Sequence, residues 1–160
     1  MQKIDKKLNL NCSADKLFEV ISSIKFEEEK NIKVNGSLKC NVKELSKDDS
    51  KMEIESVTTD YERGITGINK NKTEESTYRY VWNLKDKSCT WTMSHPMGKK
   101  VNISGTMKVS GSDDNSVLHN TLSIEIKVPL LGKKIEKMVL KEIEAGWSNY
   151  DKLVKEYAEK

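Results

Sequence analysis

The two histidines, His95 and His119, are the side chains best suited to acid–base or metal chemistry at neutral pH. His95 continues the alternation of Trp91 and Met93, whereas His119 falls between the apolar positions of its own segment, so the two would face opposite sides of a sheet. No HxH, HExxH or paired-cysteine spacing accompanies them. The sequence therefore predicts no metal site and no cofactor.

Nucleophilic chemistry also lacks a motif. The three cysteines, Cys12, Cys40 and Cys89, are far apart without CxxC spacing, and Gly-x-Ser-x-Gly is absent. All three share the parity of apolar neighbours, where a thiol behaves as a small hydrophobic group. We expect reduced and packed cysteines, as is typical of a cytosolic protein.

Two Gly-Lys-Lys triplets, which begin at Gly98 and Gly132, lack the spacing of a nucleotide-binding loop. The simplest interpretation is a solvated surface. The second triplet lies where the N–H groups of a predicted helix point outward, so a weak contact with an anion or a headgroup is the alternative.

A set of polar side chains shares the inward side of the predicted elements with large apolar ones. His95, Asn120, Glu142 and the hydroxyls of Tyr78 and Tyr80 are its polar members. Apolar walls with a few placed polar groups are typical of ligand pockets. The candidate ligand-binding residues are Tyr78, Tyr80, Trp82, Trp91, Met93, His95, Met107, Asn120, Met138, Glu142, Trp147 and Tyr150. Two alternatives stay open: the polar groups reach solvent near strand ends, and the aromatic residues are plain core.

The clearest scaffold for these residues is the segment from Pro129 to Lys160. Apolar residues recur there at steps of three and four, with Lys, Glu and Asp between them. This spacing predicts an amphipathic helix about 40 Å long, which begins at Pro129. An apolar stripe of that length needs a broad sheet as its partner.

The residues before this helix predict a strand, one or two short helices and six further strands. Apolar residues alternate over residues 4–10, Ser13 is a helix N-cap signal, and the period of two returns from Ser37. The segment from Tyr61 to Thr73 predicts a longer loop or a bent strand. Because hairpin-linked strands with one polar face must be covered on the other, the terminal helix is expected to lie across them.

Two glycines, Gly105 and Gly146, fall on the inward faces of a strand and of the long helix. A strand glycine suggests a bend or the close approach of a bulky neighbour, and a helical glycine is unfavourable by about 1 kcal/mol relative to alanine. Together they indicate either close packing of helix and sheet or room for a ligand.

Composition narrows the class of protein. The chain of 160 residues predicts one domain, 1–160, and its 28 basic and 25 acidic residues are interspersed. No concentrated basic face is evident, so we expect no nucleic-acid partner. The N-terminal residues lack an apolar signal segment, and no apolar run reaches the roughly 20 residues of a membrane span. We expect a cytoplasmic protein without stable membrane insertion, and the sequence leaves its oligomeric state open.

The order of elements resembles the helix-grip fold of the START lipid-transfer domains, the birch-pollen allergen and the polyketide cyclases, often written SRPBCC. The stretch Val128-Pro-Leu-Leu-Gly-Lys-Lys-Ile-Glu136 resembles the strand-to-helix junction of a bacterial branch of that superfamily whose function is not settled. The resemblance implies an α+β fold in which a curved seven-stranded antiparallel sheet (β-α-α-β6-α) wraps around the C-terminal helix. It also implies an apolar cavity between them that binds lipids, sterols or polyketides.

The first functional hypothesis is a non-enzymatic module that binds or transports a hydrophobic or amphipathic small molecule, such as a lipid or a polyketide. The alternative is a cyclase-type or hydrolase-type enzyme with His95 or Glu142 as general acid or base. A protein-binding adaptor would need a large apolar patch on the outer sheet face. The Lys, Glu, Ser and Thr at outward positions argue against that patch.

Overall fold

The chain forms one sheet and three α-helices in a computed structural model that describes residues 1–64 and 66–160. The elements are β1 (Gln2–Leu10), α1 (Ala14–Ile21), α2 (Ile24–Glu29), β2 (Lys39–Lys47), β3 (Lys51–Gly64), β4 (Gly67–Asn83), β5 (Ser88–Ser94), β6 (Val101–Gly111), β7 (Ser116–Ile126) and α3 (Gly132–Ala158). A π-helical segment, Lys30–Val34, continues α2, and a 3-10 turn, Gly98–Lys100, precedes β6.

All seven strands form one antiparallel sheet in the order β1-β7-β6-β5-β4-β3-β2. Neighbours in sequence are neighbours in the sheet except β1, which pairs with β7. This confirms the predicted α+β class and the seven-stranded antiparallel sheet. Along β7 every second residue from Ser116 to Ile126 is buried, as a sheet with one covered face requires.

Serine caps begin the two short helices. The Ser13 hydroxyl accepts a hydrogen bond from the Lys16 N–H at 3.0 Å, and the Ser23 hydroxyl accepts one from the Phe26 N–H at 3.2 Å. Each cap satisfies an N–H group that the first helical turn leaves without a partner. The predicted N-cap at Ser13 is confirmed.

The segment Tyr61–Thr73 is not a loop, because β3 continues to Gly64 and β4 begins at Gly67. The two strands form a long hairpin whose register shifts between Tyr61 and Glu62. Most residues of β4 before Glu74 are exposed, so no alternation of apolar residues marked this part as a strand. Ile65, which also belongs to that segment, lies outside the described residues.

The start of the last helix differs from the prediction. Pro129 and Leu130 form a turn in which Leu130 has φ 66°, a left-handed conformation that cannot open an α-helix, and α3 begins at Gly132. Gly132 is buried against the preceding strand end. A Cβ atom there would lie 2.2 Å from the Ile126 carbonyl oxygen. The start of α3 can therefore lie this close to the end of β7 because Gly132 has no side chain.

The helix α3 packs on one side of the curved sheet. Its closest backbone approaches are to β7, β1, α1 and the π-helical segment. Buried apolar residues form two clusters, a larger one beneath α1 and α2 and a smaller one of Ile4, Leu122, Ile124 and Ile126. Trp91 packs against both clusters. Trp91 therefore links the two clusters.

Replacing Gly105 with alanine is expected to destabilise the protein by about 1–3 kcal/mol, since overpacking a tight site costs that much. The added Cβ would lie 2.3 Å from the Thr121 carbonyl oxygen and 2.7 Å from two ring carbons of Trp91, so the predicted close approach is confirmed. The measurement is the free energy of unfolding in urea. Ser104→Ala on the same strand is the control. Equal stability of Gly105→Ala and the wild type would contradict the packing.

Candidate functional site

Three aromatic rings form the sheet side of the candidate site. Tyr78 stacks on Tyr80 with ring centroids 6.4 Å apart, and Trp91 lies 6.2 Å from Tyr78 and 6.3 Å from Tyr80. Strands β4 and β5 hold these side chains on the inward face, with Tyr80 opposite Trp91 in the register. Tyr80 is buried, whereas Tyr78 and Trp91 are half-buried.

The inward face of α3 supplies the opposite side. Trp147 and Tyr150 are half-buried there, with ring centroids 5.7 Å apart. Gly146 lies on the same helical stripe, and a Cβ atom added to it would meet no atom within 4 Å. The middle of the inward helix face therefore adjoins open space. The two inward glycines therefore differ. Gly105 is closely packed, whereas Gly146 has room beside it.

The phenol groups of the site are protonated at neutral pH, since the ordinary pKa of tyrosine is about 10 and burial raises it further. Burial raises the pKa of Tyr78 and of Tyr150, and for Tyr150 the Asn120 side chain opposes the shift. The pKa of Tyr80 is raised well above its usual range, first by burial and then by the Glu27 carboxylate. Neutral phenols can donate and accept hydrogen bonds, so these hydroxyls are polar points among apolar walls.

A buried cluster of polar groups lies at the α2 end of the site. Glu27, only 6% exposed, accepts hydrogen bonds from the Tyr80 hydroxyl at 2.7 Å and from the Asn31 amide at 2.8 Å. Its other carboxylate oxygen is 2.5 Å from Lys30 Nζ, which also donates to the Tyr80 hydroxyl at 3.1 Å. Carboxylate, ammonium and phenol thus share one hydrogen-bonded network.

Sequence reasoning identified Tyr80 in this cluster and missed Glu27, Lys30 and Asn31. In the sequence they belong to a run of charged residues that is typical of a solvated helical turn. The one available signal in the sequence was spacing. Lys30 and Asn31 follow Glu27 by three and four residues, so a helix places the three side chains on one face.

The remaining predicted site residues fall in different environments. Trp82 and Met107 are buried in the larger core, where Trp82 meets Phe18 edge-on at 5.5 Å. Asn120 is buried opposite Met107 in the register, and Met93 is half-buried on β5. Met138 lines a shallow depression on the surface of α3. Among the predicted residues, the structure thus groups Tyr78, Tyr80 and Trp91 on the sheet and Trp147 and Tyr150 on the helix.

The two predicted acid–base residues have separate partners. Glu142 is exposed and forms an ion pair with Arg63 at the end of β3. His95 Nε2 lies 3.3 Å from the Glu74 carboxylate, and its Nδ1 accepts a hydrogen bond from the Met97 N–H at 3.1 Å. Neither contact belongs to the aromatic walls.

The other chemistry-bearing residues have structural roles. His119 pairs with Asp5 at 2.7 Å. Cys12 and Cys89 are buried, and burial raises the pKa of the Cys89 thiol to about 12, so it stays protonated at neutral pH. Within residues 1–64 and 66–160, no three His, Cys, Asp or Glu side chains cluster as a metal site would require.

Solved structures share this fold along nearly the whole chain. The Zhui aromatase/cyclase from Streptomyces sp. R1128 matches with TM-score 0.67 at 12% identity, covering 99% of this chain and 93% of that one. Norcoclaurine synthase from Thalictrum flavum matches with TM-score 0.60 at 12% identity, covering 97% and 84%. A START superfamily protein from Mycobacterium smegmatis matches with TM-score 0.52 at 13% identity, covering 94% and 97%. These likenesses show the helix-grip fold expected from the sequence.

Sequence comparison defines the family. No curated protein sequence matches the chain. The family described as "Protein of unknown function (DUF2505)" matches residues 5–157, which is nearly the whole chain. The chain therefore belongs to the DUF2505 family and has the helix-grip fold.

Proposed function

We propose that the protein binds a hydrophobic or amphipathic small molecule between the inward face of α3 and the concave face of the sheet. The observation that carries this proposal is the open space beside Gly146, in the middle of a helix face that otherwise packs inward. Gly146 is itself half-buried, so the space beside it can be reached from solvent, as the entrance of a ligand site would be. A bound ligand would cover the half-buried aromatic surfaces beside it.

The aromatic side chains of the sheet and of α3 favour a ligand that is mostly apolar and carries polar groups. Trp91, Trp147 and Tyr150 offer large apolar surfaces that are only half-buried in the protein alone. The protonated hydroxyls of Tyr78 and Tyr150 can bond to a carbonyl, hydroxyl or carboxylate of the ligand. This combination is typical of small-molecule sites. It suits a lipid or a polyketide-like molecule.

The fold supports the same proposal. Structures with this fold include an aromatase/cyclase and norcoclaurine synthase, and both names describe reactions of small organic molecules. Their sequences are too different from this chain to transfer a substrate. The fold therefore supports a small-molecule ligand of the same general kind, while the residues around Gly146 must select it.

The test is native mass spectrometry of the full chain, expressed in bacteria and purified without detergent. The expected result is a second species heavier than the chain by the mass of one small molecule, which disappears on denaturation. A Gly146→Leu variant prepared in parallel is expected to show the bare chain. Two results together would refute the proposal. These are bare chain in every preparation and no rise in thermal stability on adding fatty acids or aromatic polyketides. The second result counts because a ligand bound only to the folded state must stabilise it.

A second candidate function is catalysis of the cyclase type, favoured by the buried cluster of Glu27, Lys30 and Tyr80. Hydrogen-bonded acid and base groups at the end of a ligand site can move protons during ring formation. Glu142 and His95 are less suited, because both pair with other residues away from the aromatic walls. If the cluster is catalytic, Tyr80→Phe should change the chemical identity of the copurified molecule. An unchanged molecule in that variant would leave binding as the function.

A further inference from the structure

One end of the molecule combines exposed leucines with exposed lysines. Its apolar members are Leu130, 104% exposed, and Leu131, 37% exposed, in the turn between β7 and α3. Its basic members are Lys133 and Lys134 in the first turn of α3. Lys99 and Lys100, also exposed, complete the group, which we call the basic tip.

Two segments distant in sequence form this tip. The Lys127 N–H donates to the Lys100 carbonyl at 2.7 Å, and Val101 pairs with Ile126 at the ends of β6 and β7. The 3-10 turn that carries Lys99 and Lys100 therefore lies beside the chain that leads into Leu130. Met97, 48% exposed, precedes that turn and extends the apolar surface. The sequence shows these lysines only as two separate Gly-Lys-Lys triplets, and the fold brings the two pairs to one end of the molecule.

Leu130 adopts a conformation that exposes it. Its φ of 66° lies in the left-handed region, where glycine and asparagine are favoured and a leucine is uncommon. A turn serving only to join strand and helix would be more stable with either of those residues. Leucine at this position is thus unfavourable for two reasons, because the backbone conformation disfavours it and because its apolar side chain is exposed to water. An apolar environment outside the protein would remove the exposure to water.

The exposed charges nearest these leucines on the helix are all basic. In the first two turns of α3, Lys133, Lys134 and Lys137 are exposed, whereas Glu136 is buried and accepts a hydrogen bond from the Ile126 N–H at 2.9 Å. The exposed acidic residues Glu142 and Glu144 lie further along the helix. Lys134, Lys137 and Lys141 border a shallow depression of about 300 Å³ whose floor is Ile135 and Met138. Apolar groups within a border of cations complement acyl chains beneath anionic headgroups.

We propose that the basic tip docks onto the surface of membranes that contain anionic lipids. Leu130 and Leu131 enter the boundary between headgroups and acyl chains, and the lysines contact the phosphates. The docking is peripheral, and within residues 1–64 and 66–160 no helix has the length and apolar character to cross a bilayer. This inference rests on the exposed end of the molecule and does not depend on the interior ligand site.

The test is co-sedimentation of the full chain with two kinds of vesicle, phosphatidylcholine alone and phosphatidylcholine with phosphatidylserine. Binding is expected only to the vesicles with phosphatidylserine and should weaken as salt is raised, since screening shortens the reach of surface charges to about 10 Å at 0.1 M. Lys133→Glu with Lys134→Glu should weaken binding roughly tenfold or more. Leu130→Asn should weaken it while preserving the turn, because asparagine tolerates positive φ.

Matched controls lie elsewhere on the surface. Lys16→Glu with Lys39→Glu makes the same change of net charge, and Leu45→Asn removes an exposed leucine of β2. These variants are expected to bind vesicles as the wild type does, and thermal unfolding checks that all variants are folded. Equal binding to both vesicle types, no binding to either, or unchanged binding by the folded tip variants would overturn the proposal. Retention on heparin without vesicle binding would also overturn it, in favour of a polyanionic polymer.

Discussion

Replacing Gly146 with leucine is expected to weaken binding of the amphipathic fluorescent probe anilinonaphthalene sulfonate roughly tenfold, equivalent to about 1.4 kcal/mol. The new side chain would occupy the space beside the inward face of α3, where a Cβ atom meets nothing within 4 Å. It would lie next to Trp147 and Tyr150, the aromatic residues of the helix wall. The measurement is a fluorescence titration of the folded protein with the probe.

This variant should keep or raise the stability of the fold. Leucine is a better helix former than glycine by nearly 1 kcal/mol, and a Cβ atom at this position meets nothing within 4 Å. Loss of binding can therefore be separated from loss of structure by following thermal unfolding of the same sample.

Gly146→Ala is the matched control for Gly146→Leu. It adds one carbon, so we expect nearly wild-type binding of the probe and a gain of about 1 kcal/mol in the free energy of unfolding. Unchanged binding by Gly146→Leu would locate the probe elsewhere. Destabilisation by alanine would contradict the open space itself.

Replacing Glu27 with alanine is expected to destabilise the protein by about 3–5 kcal/mol, because it removes one partner of a buried ion pair and leaves the other charge uncompensated. Lys30 Nζ, 2.5 Å from the carboxylate, would lose its counter-ion. The Tyr80 hydroxyl and the Asn31 amide would lose the acceptor that they share. Urea unfolding followed by circular dichroism measures the change.

Neighbouring substitutions show whether the cluster is responsible. Glu28 is exposed on the same helix, so Glu28→Ala should change stability by less than about 0.5 kcal/mol. Glu27→Gln keeps an acceptor but loses the charge and should give an intermediate value. Tyr80→Phe should cost about 1–3 kcal/mol through the lost hydrogen bond, and it stays measurable even if Glu27→Ala does not fold. If Glu27→Ala and Glu28→Ala unfold at the same urea concentration, the network does not stabilise the fold.

The sheet and the long helix could be predicted because their signals are local. Along β7 buried and half-buried residues alternate without interruption, and the stripe of α3 from Ile135 to Tyr157 repeats at helical spacing. Each residue in such a pattern reports which face it occupies, since the side-chain directions follow from backbone geometry alone. The order of these elements then leaves few architectures that bury every apolar face, and the helix-grip fold is one of them.

Several aromatic residues of the candidate site were predictable for the same reason. Tyr78, Tyr80 and Trp91 lie on the inward parity of their strands, and Trp147 and Tyr150 on the apolar stripe of the helix. Parity gives the face of a side chain but not its distance from the opposite wall. It could not distinguish Gly105, which Trp91 covers, from Gly146, which adjoins open space.

The remaining features depend on residues that meet only in the folded chain. Glu27 is buried and accepts a hydrogen bond at 2.7 Å from Tyr80, which lies on a strand far along the sequence, whereas Glu142 is exposed and pairs with Arg63 at the surface. The basic tip exists because β6 and β7 pair and bring Lys100 beside Lys127. Periodicity records the environment of a residue within its own element. Partners, charge clusters and unfilled space arise between elements, so the tertiary structure alone determines them.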